Sequence, residues 1–186
     1  SRLHQIWNNE QWNNNWLYTH AYDANNNKTS FLFQAWDGTQ WYNSNQNTYT
    51  YDANNNQISD LRQTWDGTQW ANNWQNTYTY DSNNNRTVLL IQDWDGNEWV
   101  DNRQFLTPDY DANNNRMFYL SQEWDGTEWV NIYQNFYTYD AYNNQTIKLR
   151  QTWDSTQWVN YYQLTNTFDA NNNQTNELRE DWDLFQ

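Results

Sequence analysis

The stretch Trp65-Asp66-Gly67-Thr68-Gln69-Trp70-Ala71-Asn72-Asn73-Trp74-Gln75-Asn76-Thr77-Tyr78-Thr79-Tyr80-Asp81-Ser82-Asn83-Asn84-Asn85 decides the fold. After Trp70 the large aromatics fall at every second or fourth position, with Ala71, Asn73, Gln75, Thr77 and Thr79 between them. A period of two is strand periodicity, because successive side chains on a strand point to opposite faces, and no window supports a helical stripe. The lead-in to Trp65 alternates too, with Leu61, Gln63 and Trp65 set against Arg62 and Thr64. Taken at face value, Trp70, Asn72, Trp74, Asn76, Tyr78 and Tyr80 share one face with Trp65, and the opposite face is small and polar.

Both ends of this strand carry turn chemistry. Asp81 to Asn85 reads as a three-residue hairpin loop: a type I turn with Asp first, closed by an Asn in the left-handed region. Asp66-Gly67 suits either a two-residue hairpin turn or a four-residue loop through Thr68 and Gln69. The four-residue loop sets Trp65 directly opposite Trp70, and either even length keeps the two on one face.

The same pattern fills the chain. Anchor tryptophans stand at Trp7, Trp36, Trp65, Trp94, Trp124, Trp153 and Trp182, at intervals of 29 residues with a single interval of 30. A second row follows at Trp12, Trp41, Trp70, Trp99, Trp129 and Trp158, and a leucine stands four residues before each anchor. The extra residue falls near Leu106–Asp109 beside Pro108, where a bulge or strand break is expected. Residues 1–186 thus read as a single array, part of a longer chain or assembly. The expected fold class is all-β: tandem antiparallel hairpins, about 13 strands, in a coiled or spiralling sheet.

Composition excludes several functions. The net charge of −14 removes the electrostatic footprint of a nucleic-acid binder, and no apolar run is long enough for a spanning helix. With no cysteine there is neither a disulfide scaffold nor a thiolate metal site, and no cofactor is expected. A mean hydropathy of −1.34 would suit a disordered chain, but aromatics at 20% do not. At about 25 cal/mol per Å2, each ring left wet forfeits several kcal/mol, so the rings must find partners.

Tyr49-Thr50-Tyr51-Asp52-Ala53-Asn54-Asn55-Asn56, with its copy at Tyr78–Asn85, resembles the YD or RHS repeat family, whose centre is Tyr-x-Tyr-Asp-x-x-Gly. Here Asn stands at the Gly position, and the Trp-Asp-Gly-Thr-Gln-Trp arm makes the period longer. That arm resembles secreted repeat proteins of the Bacteroidetes type. The resemblance implies a non-enzymatic extracellular protein at the cell surface, whose β-strips form a fibre, stalk or shell.

Candidate sites follow from the repeat. Catalysis has little to stand on: His4 and His20 do not repeat, and His20 fills a slot held by Tyr49 and Tyr78. Asp23 to Asn27 starts like a calcium loop, but the twelfth position is Gln34, so a hairpin turn is the better reading. Sequons at Asn27, Asn85, Asn144 and Asn173 read as turn residues. More informative is an amide row within the Trp face. Gln34, Gln63, Gln92, Gln122 and Gln151 precede the anchors by two residues, and Asn43, Asn72, Asp101, Asn131 and Asn160 follow by seven. Such amides either form a structural ladder or, with Trp41, Trp70, Trp99, Trp129 and Trp158, line a carbohydrate-binding or adhesive surface. On the other face Phe31, Phe33, Leu89 and Ile91 recur where other copies are charged, marking expected contacts for self-association or for the rest of a longer chain.

Overall fold

The computed structural model describes residues 1–182. Thirteen strands form: β1 (Arg2–Asn8), β2 (Gln11–Tyr22), β3 (Lys28–Trp36), β4 (Trp41–Tyr51), β5 (Gln57–Trp65), β6 (Trp70–Tyr80), β7 (Arg86–Trp94), β8 (Trp99–Leu106), β9 (Phe118–Trp124), β10 (Trp129–Tyr139), β11 (Gln145–Trp153), β12 (Trp158–Phe168) and β13 (Gln174–Asp181). They pair antiparallel in chain order, and no helix forms among the described residues. Two compact units result: Ser1–Tyr78 with Ile91–Val100, and Thr79–Leu90 with Asp101–Gln186.

The turns form as their residues dictate. Asp23 N–H donates to the Asn27 carbonyl at 2.9 Å and Asn26 N–H to the Asp23 carbonyl at 3.1 Å, with Asn26 left-handed at φ 67°. Asn55, Asn84, Asn114, Asn143 and Asn172 take the same conformation. Asparagine tolerates it because its short amide offsets part of the Cβ penalty. At the other end the four-residue loop is realised: Trp65 pairs directly with Trp70, and Asp66 N–H donates to the Gln69 carbonyl at 3.1 Å. That bond flanks Trp65 and Trp70 and makes them a non-hydrogen-bonded pair, the kind whose side chains lie closer. Among the described residues only the first hairpin uses a two-residue turn, Asn9-Glu10, with both residues at positive φ.

The face assignment requires a correction. Gln63 pairs with Asn72, but Arg62 pairs with Trp74 and Leu61 with Gln75, which leaves Asn73 as an extra residue. Asn15, Ser44, Ile132 and Tyr161 occupy the same bulge in their own hairpins. One extra residue reverses the alternation beyond it. Gln75, Thr77 and Thr79 therefore join Trp65, Trp70, Gln63 and Asn72, whereas Trp74, Asn76, Tyr78 and Tyr80 cross to the face of Arg62. The expectation that all large aromatics share one face fails at this residue. Near Pro108 the expected break occurs, with β8 stopping at Leu106 and β9 starting at Phe118.

Burial follows the corrected faces. The buried apolar residues are Tyr137 and Tyr162, joined by the polar Asn47, Thr107, Ser121, Asn135 and Asn166, all on the face opposite the Trp hairpins. Among the described residues of the Trp face only Gln134 is buried.

Ser155 stands at φ 79° where the other Trp turns have Gly38, Gly67, Gly96 and Gly126 at φ 102° to 107°. A Cβ at Gly67 would meet nothing within 4 Å, so the cost of a side chain there is backbone strain alone. Ser155→Gly should raise stability by about 1 kcal/mol and Gly67→Ala lower it by about as much, read as shifts of the urea midpoint.

Candidate functional site

The Trp face is built from two repeated parts and carries a hollow. The first is the Trp pair at each turn. Ring centroids lie 5.1 Å apart in Trp36–Trp41, Trp65–Trp70, Trp94–Trp99 and Trp153–Trp158, and 5.4 Å apart in Trp124–Trp129. Interplanar angles of 63° to 67° make each pair edge-to-face. Such a pair is worth about 0.5–1.5 kcal/mol beyond its buried area. In this arrangement the edge-on indole keeps both of its flat faces clear of its partner.

The second part is the amide row, realised as directed chains. Gln46 Nε2 donates to Gln63 Oε1 at 2.8 Å, and Gln63 Nε2 donates to Asn72 Oδ1 at 2.9 Å. In the second unit Gln104, Gln122 and Asn131 are linked at 2.7 and 2.9 Å, and Gln134, Gln151 and Asn160 at 2.6 and 2.8 Å. Gln34 donates to Asn43 at 3.0 Å, and Gln92 accepts from Gln75 at 2.8 Å. The row is thus joined by amide-to-amide bonds, with one addition. Among the described residues Asn43, Asn72, Asn131 and Asn160 receive a bond on Oδ1 and donate none from Nδ2, so each chain ends in a spare N–H2 group.

The hollow, of about 290 Å3, lies between two Trp turns and is lined by Glu128, Trp129, Asn131, Trp153 and Ser155. Its origin is register. The last pair between β10 and β11 is Tyr133 with Thr152, so the Trp129 end of β10 runs past β11's pairing. Asn45 with Thr64 is the corresponding last pair between β4 and β5, which places Trp41 and Trp65 in the same relation.

Charge is sorted between the faces. Among the described strand residues that share the Trp face, only Asp101 and Glu180 are charged. The cations gather on the other face and lie over its rings. Arg150 sits 3.7 Å from the Tyr133 centroid, Arg179 4.3 Å from Tyr162, Arg116 4.9 and 5.0 Å from Tyr119 and Tyr137, and Lys28 4.6 Å from Tyr49. Contacts of this kind are worth about 0.5–2 kcal/mol, more as water is excluded. Burial pushes the Tyr119 phenol far above its usual range and raises Asp60, which also accepts a 3.0 Å bond from Asn47.

This aromatic face also contains the residues expected to make assembly contacts. Phe31 and Phe33 lie 5.0 and 5.2 Å from Tyr18, with His20 5.3 Å from Phe31, so their neighbours are supplied by their own chain. Leu89 and Ile91 are half-buried. His20 does act as a substituted aromatic, and His4 stacks on Trp16 at 4.5 Å.

The turn carboxylates are occupied within their own loops. Asp23 Oδ1 accepts from Asn25 and Asn27 N–H at 2.9 and 2.8 Å, and Asp66 Oδ1 from Thr68 and Gln69 N–H at 2.7 and 2.8 Å. The sequon asparagines are equally committed. Asn27 Nδ2 donates to Asp23 Oδ2 at 3.0 Å and to Asn55 Oδ1 in the next loop at 2.8 Å. Asn85 and Asn144 repeat both bonds, and a sugar on that nitrogen would break at least one of them. Sequence reading missed the spare amide donors and the hollow, since both depend on register.

No family of known proteins matches the chain, and no curated protein sequence matches it. Solved structures similar to it include a DUF3836 family protein from Bacteroides vulgatus, at 26% identity over 47% of this chain and 90% of that one, with a TM-score of 0.38. Another DUF3836 family protein, from Parabacteroides distasonis, shows 20% identity over 44% of this chain and 75% of that one, with a TM-score of 0.36. A protein of unknown function from Bacteroides fragilis shows 9% identity over 81% and 91%, also with a TM-score of 0.36.

Two measurements check this geometry. Hydrogen bonds from Asn and Thr groups hold the turn carboxyls below their ordinary value, to about 2 at Asp154, where Thr156 and Gln157 donate. A depressed carboxyl stabilises the fold above its unfolded pKa near 3.8 and loses that contribution as pH falls through the folded value. Thermal stability should therefore decline below about pH 4 and continue to fall toward pH 2, less steeply in Asp154→Asn. Separately, Gln63→Leu strands the Gln46 donor and the Asn72 acceptor, and should cost about 1–3 kcal/mol in urea unfolding.

Proposed function

We propose that the chain is a non-enzymatic structural repeat of the YD/RHS kind, secreted to the cell surface, where it forms part of a fibre, stalk or shell. The observation that carries this reading is the way its polar groups are used. In copy after copy, the turn aspartates accept backbone donors and the glutamines bond to amides, so these groups serve the lattice itself. Asp66 Oδ1 with three donors from its own loop is typical.

Self-association is supported by the thinness of the core. Tyr137 and Tyr162 are the buried apolar residues among those described, while Tyr42, Phe136, Tyr142 and Tyr161 are 47%, 39%, 73% and 39% exposed. Rings left wet at this density favour association with another surface, at about 25 cal/mol per Å2 of apolar area covered. The charge of −14 opposes close approach of like copies, but at physiological salt its reach is about 8 Å.

Sedimentation velocity over a concentration series, with negative-stain images of the same samples, tests the proposal. Species larger than the monomer should grow with concentration and appear as extended strips or filaments. A single monomeric species at every concentration would overturn the assembly reading.

A further inference from the structure

We propose that the hollows between successive Trp turns bind an uncharged polysaccharide, each hollow taking one pyranose ring of an extended chain. This does not rest on the scaffold reading, which would stand if no sugar bound.

Four observations converge on this ligand. The hollow of about 290 Å3 is of single-sugar size and pairs two indoles, Trp129 and Trp153, with an amide, Asn131, and a carboxylate, Glu128. A pyranose needs that combination: flat apolar rings against its C–H faces, and both donors and acceptors for its hydroxyls. Asn131 already accepts from Gln122 at 2.9 Å, which fixes its orientation and leaves Nδ2 as an uncommitted donor at the hollow. The charge sorting argues against an anionic polymer, because the described strand residues of this face include no cation and are uncharged apart from the acidic Asp101 and Glu180. An anionic polymer is further repelled by the net charge of −14.

Repetition supplies the polymer. Gln40, Trp41, Asn43, Trp65 and Gly67 hold the equivalent positions in the first unit, followed by Gln69, Trp70, Asn72, Trp94 and Gly96. Within a unit, equivalent hollows are separated by two strand spacings across the sheet and about two residues along it, or about 12 Å. One saccharide cannot fill two such sites, but an oligosaccharide of several rings spans them, and linked sites bind far more tightly than either alone.

Isothermal titration of the purified chain with cellohexaose, xylohexaose and mannohexaose, alongside tryptophan emission, tests the assignment. At least one hexaose should bind saturably with an emission shift, at least about tenfold more tightly than its disaccharide. Polygalacturonate, the anionic control, should not bind. The variant carrying Asn43→Asp, Asn72→Asp, Asn131→Asp and Asn160→Asp keeps the Oδ acceptors and removes the spare donors. Asp101 already occupies this slot in one repeat, so the fold accommodates it, and unchanged circular dichroism verifies that. Its affinity should fall at least about tenfold, as when a hydrogen-bonding site loses its match. Absence of saturable binding to all three hexaoses at millimolar concentration would overturn the proposal, as would polygalacturonate binding as tightly, or full retention of affinity by the variant.

Discussion

The unpaired residue in the even strands governs the distribution of side chains. Because Asn73 has no partner across from it, Trp70 and Trp74 fall on opposite faces although four residues separate them. One face then receives the turn tryptophans, the amides and the threonines. The other receives most of the remaining rings, with Arg62 opposite Trp74, Arg150 opposite Tyr162 and Arg179 over the Tyr162 ring, while Phe118 and Phe136 stay on the face of the amides. Without the bulge, Arg62 would oppose Asn73, and the amide of Gln75 would leave Leu61 for the face of the cations. Cation–π packing on one side and amide chains on the other therefore have a common origin in backbone register.

A sheet with so small a core must draw stability from contacts that lie within its own surface. The repeats supply edge-to-face indole pairs, amide bonds on one face, cations over the rings Tyr49, Tyr119, Tyr133, Tyr137 and Tyr162 on the other, and turn aspartates that accept several donors. Individually these are worth about a kcal/mol. Repeating them along the array makes stability approximately a sum over repeats and nearest-neighbour contacts. The Tyr51 and Tyr139 hydroxyls extend the scheme by donating to the carbonyls of Lys28, at the start of the paired strand β3, and Arg116, just before the paired strand β9, at 2.9 and 3.1 Å.

Local chemistry was legible in the sequence wherever a single turn or pair decides the outcome. The Asp-Asn loops, the common face of Trp65 and Trp70, the irregularity at Pro108 and the common face of Gln63 and Asn72 all follow from residue type and spacing, whereas the choice of the four-residue Trp turn does not. The bulge was not, because Trp70, Trp74, Tyr78 and Tyr80 alternate so regularly that an unbroken strand accounts for them. A clue lay in length: 11 residues from Trp70 to Tyr80 run beside only nine from Gln57 to Trp65. Asn73 itself is polar and unremarkable in type, so nothing in its chemistry marks it as the extra residue. The hollow was hidden for the same reason, since it exists only where paired strands stop short of each other.

Apart from Gln174, which donates back to Asn166 in the last hairpin at 3.1 Å, the lateral amide bonds run one way along the chain. Asn27 donates to Asn55, Asn85 to Asn114, Asn115 to Asn143 and Asn144 to Asn172, just as Gln46 donates to Gln63 and Gln63 to Asn72. The array therefore has a polarity, with its successive loops and glutamines offering donors forward and acceptors backward. An inverted copy would set donor against donor, whereas one added or lost in the same sense renews each bond without leaving an orphaned group. Repeat number can thus change in steps of 29 residues, by duplication or deletion of coding sequence, with little disturbance to the copies on either side.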